Sequence, residues 1–326
     1  MTFKKRLKTT VSALARLTLG AALGLGLAAA AVSPAAAQVV APPLAGQAPA
    51  IRAVPPAEGR GPALWVVRDA DSTIYLFGAV HLLRPTTAWG TERVDAAFDS
   101  AGKIVLEISN PDDQAAIIPL IQQHGLSPDT PLSSLLTEAE IAALDAAAKT
   151  LGLSAARLDP FRPWFAALTL SVAPLARAGY DPASGVELIL KARAEAAGKP
   201  VAGLETIDEQ IRILAGFSEE TQLAFLRSTL KDFETATVEL DRLVEAWAAG
   251  DVEAIEALGV ESMRDSGEEL YQALLVRRNS NWADQIQTML EGSGAVFVAV
   301  GAAHLAGDDS VQEILERRGV DVEVAP

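Results

Sequence analysis

Three histidines occur in 326 residues, and two of them stand in the same setting. His81 closes Gly78-Ala79-Val80-His81, directly after the apolar run STIYLF (72–77). His304 closes Gly301-Ala302-Ala303-His304, directly after AVFVAV (295–300). Both runs are rich in β-branched, aromatic or aliphatic residues and read as buried strands. The glycine lets the backbone turn or approach a neighbour closely where a Cβ would clash. An imidazole placed there is held by a rigid element yet can face a cleft, as a proton carrier or a metal ligand. The third histidine, His124, sits in IQQHGL, a helix-end context that suits capping or the surface.

A carboxylate and a guanidinium extend the set. Glu107 lies in KIVLEI (103–108), an apolar strand in which alternation puts it on the same side as Val105. A lone buried carboxylate is costly, so Glu107 should face a cleft, a cation or a hydrogen-bond donor. Glu205 ends VAGLE (201–205), where it either lines the same cleft or favours the positive end of the helix that follows. Arg277-Arg278-Asn279 reads as a helix end before Trp282. Arg278 there could serve the helix C-terminus, or bind a carboxylate or a developing oxyanion with Asn279 in support. His81, Glu107 and His304 together make the His/Glu/His set that hydrolytic metal centres use to activate water. Their spacing is not the local H-E-x-x-H pattern, so the metal itself is not written in the spacing.

These residues need elements to hold them. ALWVVR (63–68) and STIYLF flank Asp69-Ala70-Asp71, a short hairpin loop. Thr91 is placed to cap a helix with Val94, Ala97, Phe98 and Ala101 on one face. Capping boxes stand at Thr137/Glu140, Thr206/Glu209 and Ser310/Glu313. The stretch 218–250 reads as one long helical region, with further helices at 268–278 and 281–291. Gly319 then ends the last helix before VDVEV (320–324), an edge or closing strand. Strands therefore cluster at both chain ends, with a mainly helical region at about 111–291 between them. The expected class is α/β (α+β), with one mixed sheet that brings the two Gly-x-x-His motifs to a shared cleft.

Composition narrows the function. Half of the residues are hydrophobic, enough for a sizeable core, and the absence of cysteine excludes disulfides, thiolate metal sites and a thiol nucleophile. Residues 1–37 read as a secretory signal: Lys4, Lys5, Arg6 and Lys8 precede an Ala/Leu/Gly-rich run that ends in Ala35-Ala36-Ala37. Residues 38–60 read as a mobile Pro/Ala-rich linker, and 61–326 as the folded domain. Removing the signal and its five basic residues takes the formal charge from −15 to −20. So acidic a chain should not bind nucleic acid through its phosphates. Export to the periplasm or medium is the expectation, with no membrane span left after cleavage.

LWVVRDADSTIYLFGAVHLLRP, VLEI, GKPVAGLET, AWAAGD, RRNSNWADQI and VFVAVGAAHLAGDDSV, in this order, resemble the TraB/GumN (TraB/PrgY/GumN, TIKI-like) family, in its GumN-like bacterial branch. The resemblance covers about residues 61–326. It implies a mixed α/β core and metal-dependent hydrolysis, with proteolysis known for the TIKI members. It places the motif histidines on His81 and His304, the acid after the second strand on Glu107, and the arginine of the Arg-Asn block on Arg278. The first expectation is thus an exported metal-dependent peptidase, with a divalent ion (manganese, cobalt or zinc) on His81, Glu107 and His304 and a peptide or small-molecule substrate. Two alternatives stand beside it: a metal-free hydrolase built on His81 and Glu107, and a periplasmic protein that binds haem, a metal or a partner without turnover. Haem usually takes an axial His, Cys, Met or Tyr, and methionine is scarce here, with His or Tyr75 still open.

Overall fold

The computed structural model describes residues 52–325, so the signal reading (1–37) and the linker reading up to residue 51 lie outside the described residues. The centre is a six-stranded mixed sheet in the order β4-β3-β5-β2-β1-β6. Its strands are β1 (Leu64–Arg68), β2 (Ser72–Ala79), β3 (Lys103–Ile108), β4 (Val201–Glu205), β5 (Gly294–Gly301) and β6 (Val322–Val324). β1 and β2 form the expected antiparallel hairpin, and Asp69 Oδ1 closes its loop by accepting from Ser72 N at 2.7 Å. β2, β5, β3 and β4 run parallel to one another, so four strand ends point the same way. The short β6 pairs antiparallel with β1 at one edge.

The helices are α1 (Glu92–Ser100), α2 (Gln114–His124), α3 (Glu138–Lys149), α4 (Pro163–Arg177), α5 (Val186–Ala196), α6 (Ile207–Ala215), α7 (Glu219–Lys231), α8 (Ala236–Ala249), α9 (Arg277–Leu290) and α10 (Val311–Arg317), with shorter turns between. Strand alternation divides the core in two. Leu64, Val66, Phe77, Phe297 and Leu106 face a large helical layer centred on the wholly buried Trp164–Leu168 stretch of α4. Ile74, Leu76, Val105 and Val298 face the other way, against Trp282 and Ile286 of α9 and Val311 and Leu315 of α10. Glu107, two residues past Val105, therefore emerges on the α9 side.

Local chemistry explains most boundaries. Thr91 accepts from Val94 N at the start of α1, and both Thr137/Glu140 and Thr206/Glu209 form complete capping boxes. Ser310 differs: its side chain makes no cap bond, and α10 starts without one. The region 218–250 divides into α7 and α8 at 232–235, and Gly250 ends α8 at φ +74, a conformation that favours glycine. The stretches 268–278 and 281–291 run on continuously through one wide turn at Gln272–Val276, whose bonds span five residues. Arg278 thus stands in the first turn of α9, not at a helix end as the sequence suggested. Such widened turns arise at functional positions because they re-aim the side chains that follow. Within the linker reading, the described residues are fastened: Arg52 Nη1 meets Asp181 Oδ2 at 2.7 Å, and Ala57 N donates to Gly90 O at 2.8 Å. A lone extended segment bonded to loops carries no periodicity that sequence could reveal.

Candidate active site

The two Gly-x-x-His motifs lie side by side because β2 and β5 pair in parallel over eight positions, with Gly78 opposite Val300 and Ala79 opposite Gly301. A Cβ on Gly78 would sit 3.2 Å from the Cα and the Cβ of Ala302, so the glycine admits the second motif against the first. His81 follows β2 in a loop. His304 lies in the short helical turn Ala302–Leu305 after β5. Both are buried, with Glu107, Glu205 and Arg278 beside them.

Arg278 is the hub. Its Nη2 donates to Glu107 Oε2 at 2.7 Å and to Glu205 Oε2 at 2.8 Å, and its Nε reaches Glu205 Oε1 at 2.9 Å. Nη1 donates to Leu274 O at 3.3 Å, within the wide turn before α9. Trp282 stacks on the guanidinium and its Nε1 donates to Glu205 Oε1 at 3.1 Å. Gln210 Nε2 bridges Glu107 and Glu205 at 3.1 and 3.0 Å. Burial alone would raise the Glu107 carboxyl's pKa. The neighbouring Arg278, then His81, outweigh it and hold the group well below its ordinary value. The same exchange raises Arg278: burial opposes its charge, and Glu107 and Glu205 outweigh that.

The histidines differ in kind. His304 is committed at both nitrogens: Nδ1 donates to Asn279 Oδ1, and Nε2 accepts from Arg278 Nη1 at 3.1 Å. Asn279 is fixed in turn by donating to Asp309 O at 2.7 Å. His81 has Nδ1 at 3.1 Å from Glu187 Oε1, whereas Nε2 lies 3.7 Å from Glu107 Oε1 and has no hydrogen-bond partner among the described residues. Burial is the largest influence on His81 and disfavours its charge. Glu187 and Glu107 together overcome it and push the pKa up to about 10. That same Glu107 oxygen is already engaged, since Gly301 N donates to Oε1 at 2.7 Å.

The expected metal shell of His81, Glu107 and His304 does not fit. The Arg278 guanidinium stands between Glu107 Oε2 and His304 Nε2 and uses the lone pair that a metal ion would need. Among the described residues no group of three or more His, Cys, Asp or Glu converges as a metal site. Sequence alternation could place Glu107 and His304 near each other but could not show that a guanidinium separates them. Glu205 joins the cluster as an anchor of Arg278. Glu187 and Gln210 are site residues that sequence reasoning missed. Each lies on the buried side of a helix among apolar neighbours, which was the available signal, but Glu187 in a first turn passed as ordinary helix-start acidity.

A cleft of about 460 Å³ reaches Glu205 and Arg278 from outside, between Ile213 of α6, Phe217, Ala273 and Arg277. A second cleft, about 490 Å³ between Trp65, Arg93 and Glu313, lies elsewhere and touches none of the cluster.

The class is mixed α/β: one sheet pairs two Gly-x-x-His strand ends over a buried Glu–Arg–Glu centre. The TraB/PrgY/gumN family matches residues 63–324, and the chain belongs to that family. An uncharacterised protein of Treponema pallidum is 23% identical over 270 residues, 78% of this chain and 80% of its own length. The Escherichia coli protein YbaP, also uncharacterised, is 24% identical over 74% of this chain and 87% of its own. The zebrafish (Danio rerio) metalloprotease TIKI2 is 27% identical over 170 residues, 43% of this chain and 32% of its own. No solved structure matches the chain.

Proposed function

We propose that this chain is an exported hydrolase of the peptidase kind, in which His81 moves the proton and the Arg278 network is its rigid electrostatic frame. The observation that carries the reading is the His81 Nε2 atom, buried and unpartnered beside Glu107. Buried polar atoms are almost always bonded, so one left without a partner in a cluster of charges calls for an explanation, and a catalytic role is the one proposed. The similarity to TIKI2 supports peptide bonds as the substrate class. That protein's name also supports a metal-assisted reaction, but His304 and Glu107 are already engaged by Arg278. Export rests on the basic and apolar pattern of residues 1–37.

With two carboxylates beside it, His81 rests as the imidazolium at neutral pH. Its chemistry is then donation: Nε2–H protonates the leaving amine of a bound peptide, and the proton released by the attacking water restores the imidazolium. Glu107, held ionised, stabilises the charged ring without taking its proton. Arg278, committed to two carboxylates and to His304, fixes Glu107 in place. The sequence expectation of a guanidinium that meets an oxyanion gives way to this scaffold role. The Ile213–Arg277 cleft opens onto Glu205 and Arg278, the side of the cluster from which substrate is proposed to enter.

The test is a screen of purified residues 38–326 against a quenched fluorogenic peptide library. Cleavage by the parent and its loss in His81→Gln, with the thermal transition retained, is the expected result. A His81→Gln variant that cleaves as the parent does overturns the reading.

A further inference from the structure

We propose that Glu187 is the positioning residue of His81, holding the imidazole by Nδ1 so that Nε2 stays turned toward Glu107. This rests on the hydrolase reading for its consequence in catalysis, and on geometry for the contact itself. Glu187 is the second residue of α5, and its Oε1 lies 3.1 Å from His81 Nδ1, with both side chains buried. Glu187 meets the ring at Nδ1, and Glu107 faces it from the Nε2 side at 3.7 Å.

The backbone is built to deliver that carboxylate. Val186 N donates to Val80 O at 3.1 Å, and Asp181 N donates to Leu83 O at 2.9 Å. The start of α5 is therefore bonded to the loop on both sides of His81. Gly185 lies between these bonds, and a Cβ there would fall 2.4 Å from the His81 carbonyl oxygen. The glycine is what allows the helix start to press against the histidine. Asp181-Pro182 turns the chain into this approach, with Asp181 accepting from Ala183 N at 2.9 Å. The first turn of a helix is also a favourable place for an acidic side chain.

The consequence is orientation. An imidazole rotated by half a turn would exchange its nitrogens for carbons at both contacts and present no proton to a substrate. Glu187 prevents this because Nδ1–H has one acceptor, in one direction. The orienting carboxylate of a catalytic histidine acts in the same way in general, with a large effect on turnover when it is lost.

The experiment uses the full mature chain with ¹⁵N-labelled histidine, in which three histidines give three imidazole patterns and His81→Gln identifies one of them. The parent should show an exchange-protected proton on His81 Nδ1 at pH 7. Glu187→Ala should lose that proton and lower kcat on a cleaved fluorogenic peptide at least tenfold, with KM within about twofold. Glu187→Gln, which keeps an accepting oxygen, should retain the proton at a shifted frequency with intermediate kcat, and it covers the case in which the alanine variant does not fold. An unchanged His81 pattern in Glu187→Ala, or in Glu187→Gln an unshifted proton with parental kcat, overturns the proposal. A parent that cleaves no peptide overturns the hydrolase reading alone, and the imidazole spectra still decide the role of Glu187.

Discussion

The centre places three buried carboxylates, Glu107, Glu187 and Glu205, around one guanidinium and two imidazoles. Arg278 pairs two of the three, so removing it strands both in a low-dielectric interior. Arg278→Ala should therefore destabilise the protein by about 3–5 kcal/mol in denaturant titration, and Arg278→Ala with Glu205→Gln should recover part of that loss. Recovery is the informative part, since it distinguishes unpaired charge from lost packing. The third carboxylate is answered by His81, with a consequence for pH. Unfolded, the imidazole titrates near 6.5; folded, it holds its proton to about 10. The stabilisation is full below 6.5 and is lost as pH rises through 10, with a slope of about 1.4 kcal/mol per pH unit between them. Unfolding titrations from pH 6 to 10 should show that slope in the parent and a flatter one in His81→Gln. Peptide cleavage should also fall as pH rises through 10, because the donating form disappears.

At the level of elements, the site depends on how closely β2 and β5 approach. A Cβ at position 78 would press on both the Cα and the Cβ of Ala302 at 3.2 Å, so Gly78→Ala should cost about 1–3 kcal/mol by overpacking. It should also lower cleavage by more than the stability loss explains, because His81 follows three residues later; melting curves and initial rates on one preparation check both. The motifs, the hairpin, the α1 cap and the Thr137 and Thr206 capping boxes were all legible, since each is a local pattern with a local physical cause. The wide turn at Gln272–Val276 was not, because its one extra residue shifts the helical face and made one continuous run read as two helices. That turn decides where Arg278 points. Glu187 was hidden for a related reason: an acid in a first helical turn has an adequate local explanation, and only tertiary contact shows it facing His81.

For the whole molecule, the sheet draws together residues from 81 to 304, and the separation explains what could be read. Two matched motifs at the chain ends were enough to predict one shared sheet, and the parallel β2–β5 register bears that out. Glu107 could be placed near the histidines by alternation, but the partner of each nitrogen and oxygen depends on side chains from α5, α6 and α9 that no spacing rule connects. The cleft beside α6 opens onto Glu205 and Arg278, and in the proposed reading substrate enters from that side. Ile213→Trp, at a half-buried position on its wall, should lower kcat/KM several-fold in a steady-state peptide assay while leaving the melting temperature close to the parent. The central claim, that His81 donates the proton, is tested most directly by the pH profile of kcat for parent and His81→Gln on one cleaved peptide. The parent should hold its rate near neutral pH and lose it as pH rises through about 10, with His81→Gln at least a hundredfold slower throughout. A His81→Gln rate equal to the parent's across that range would contradict it.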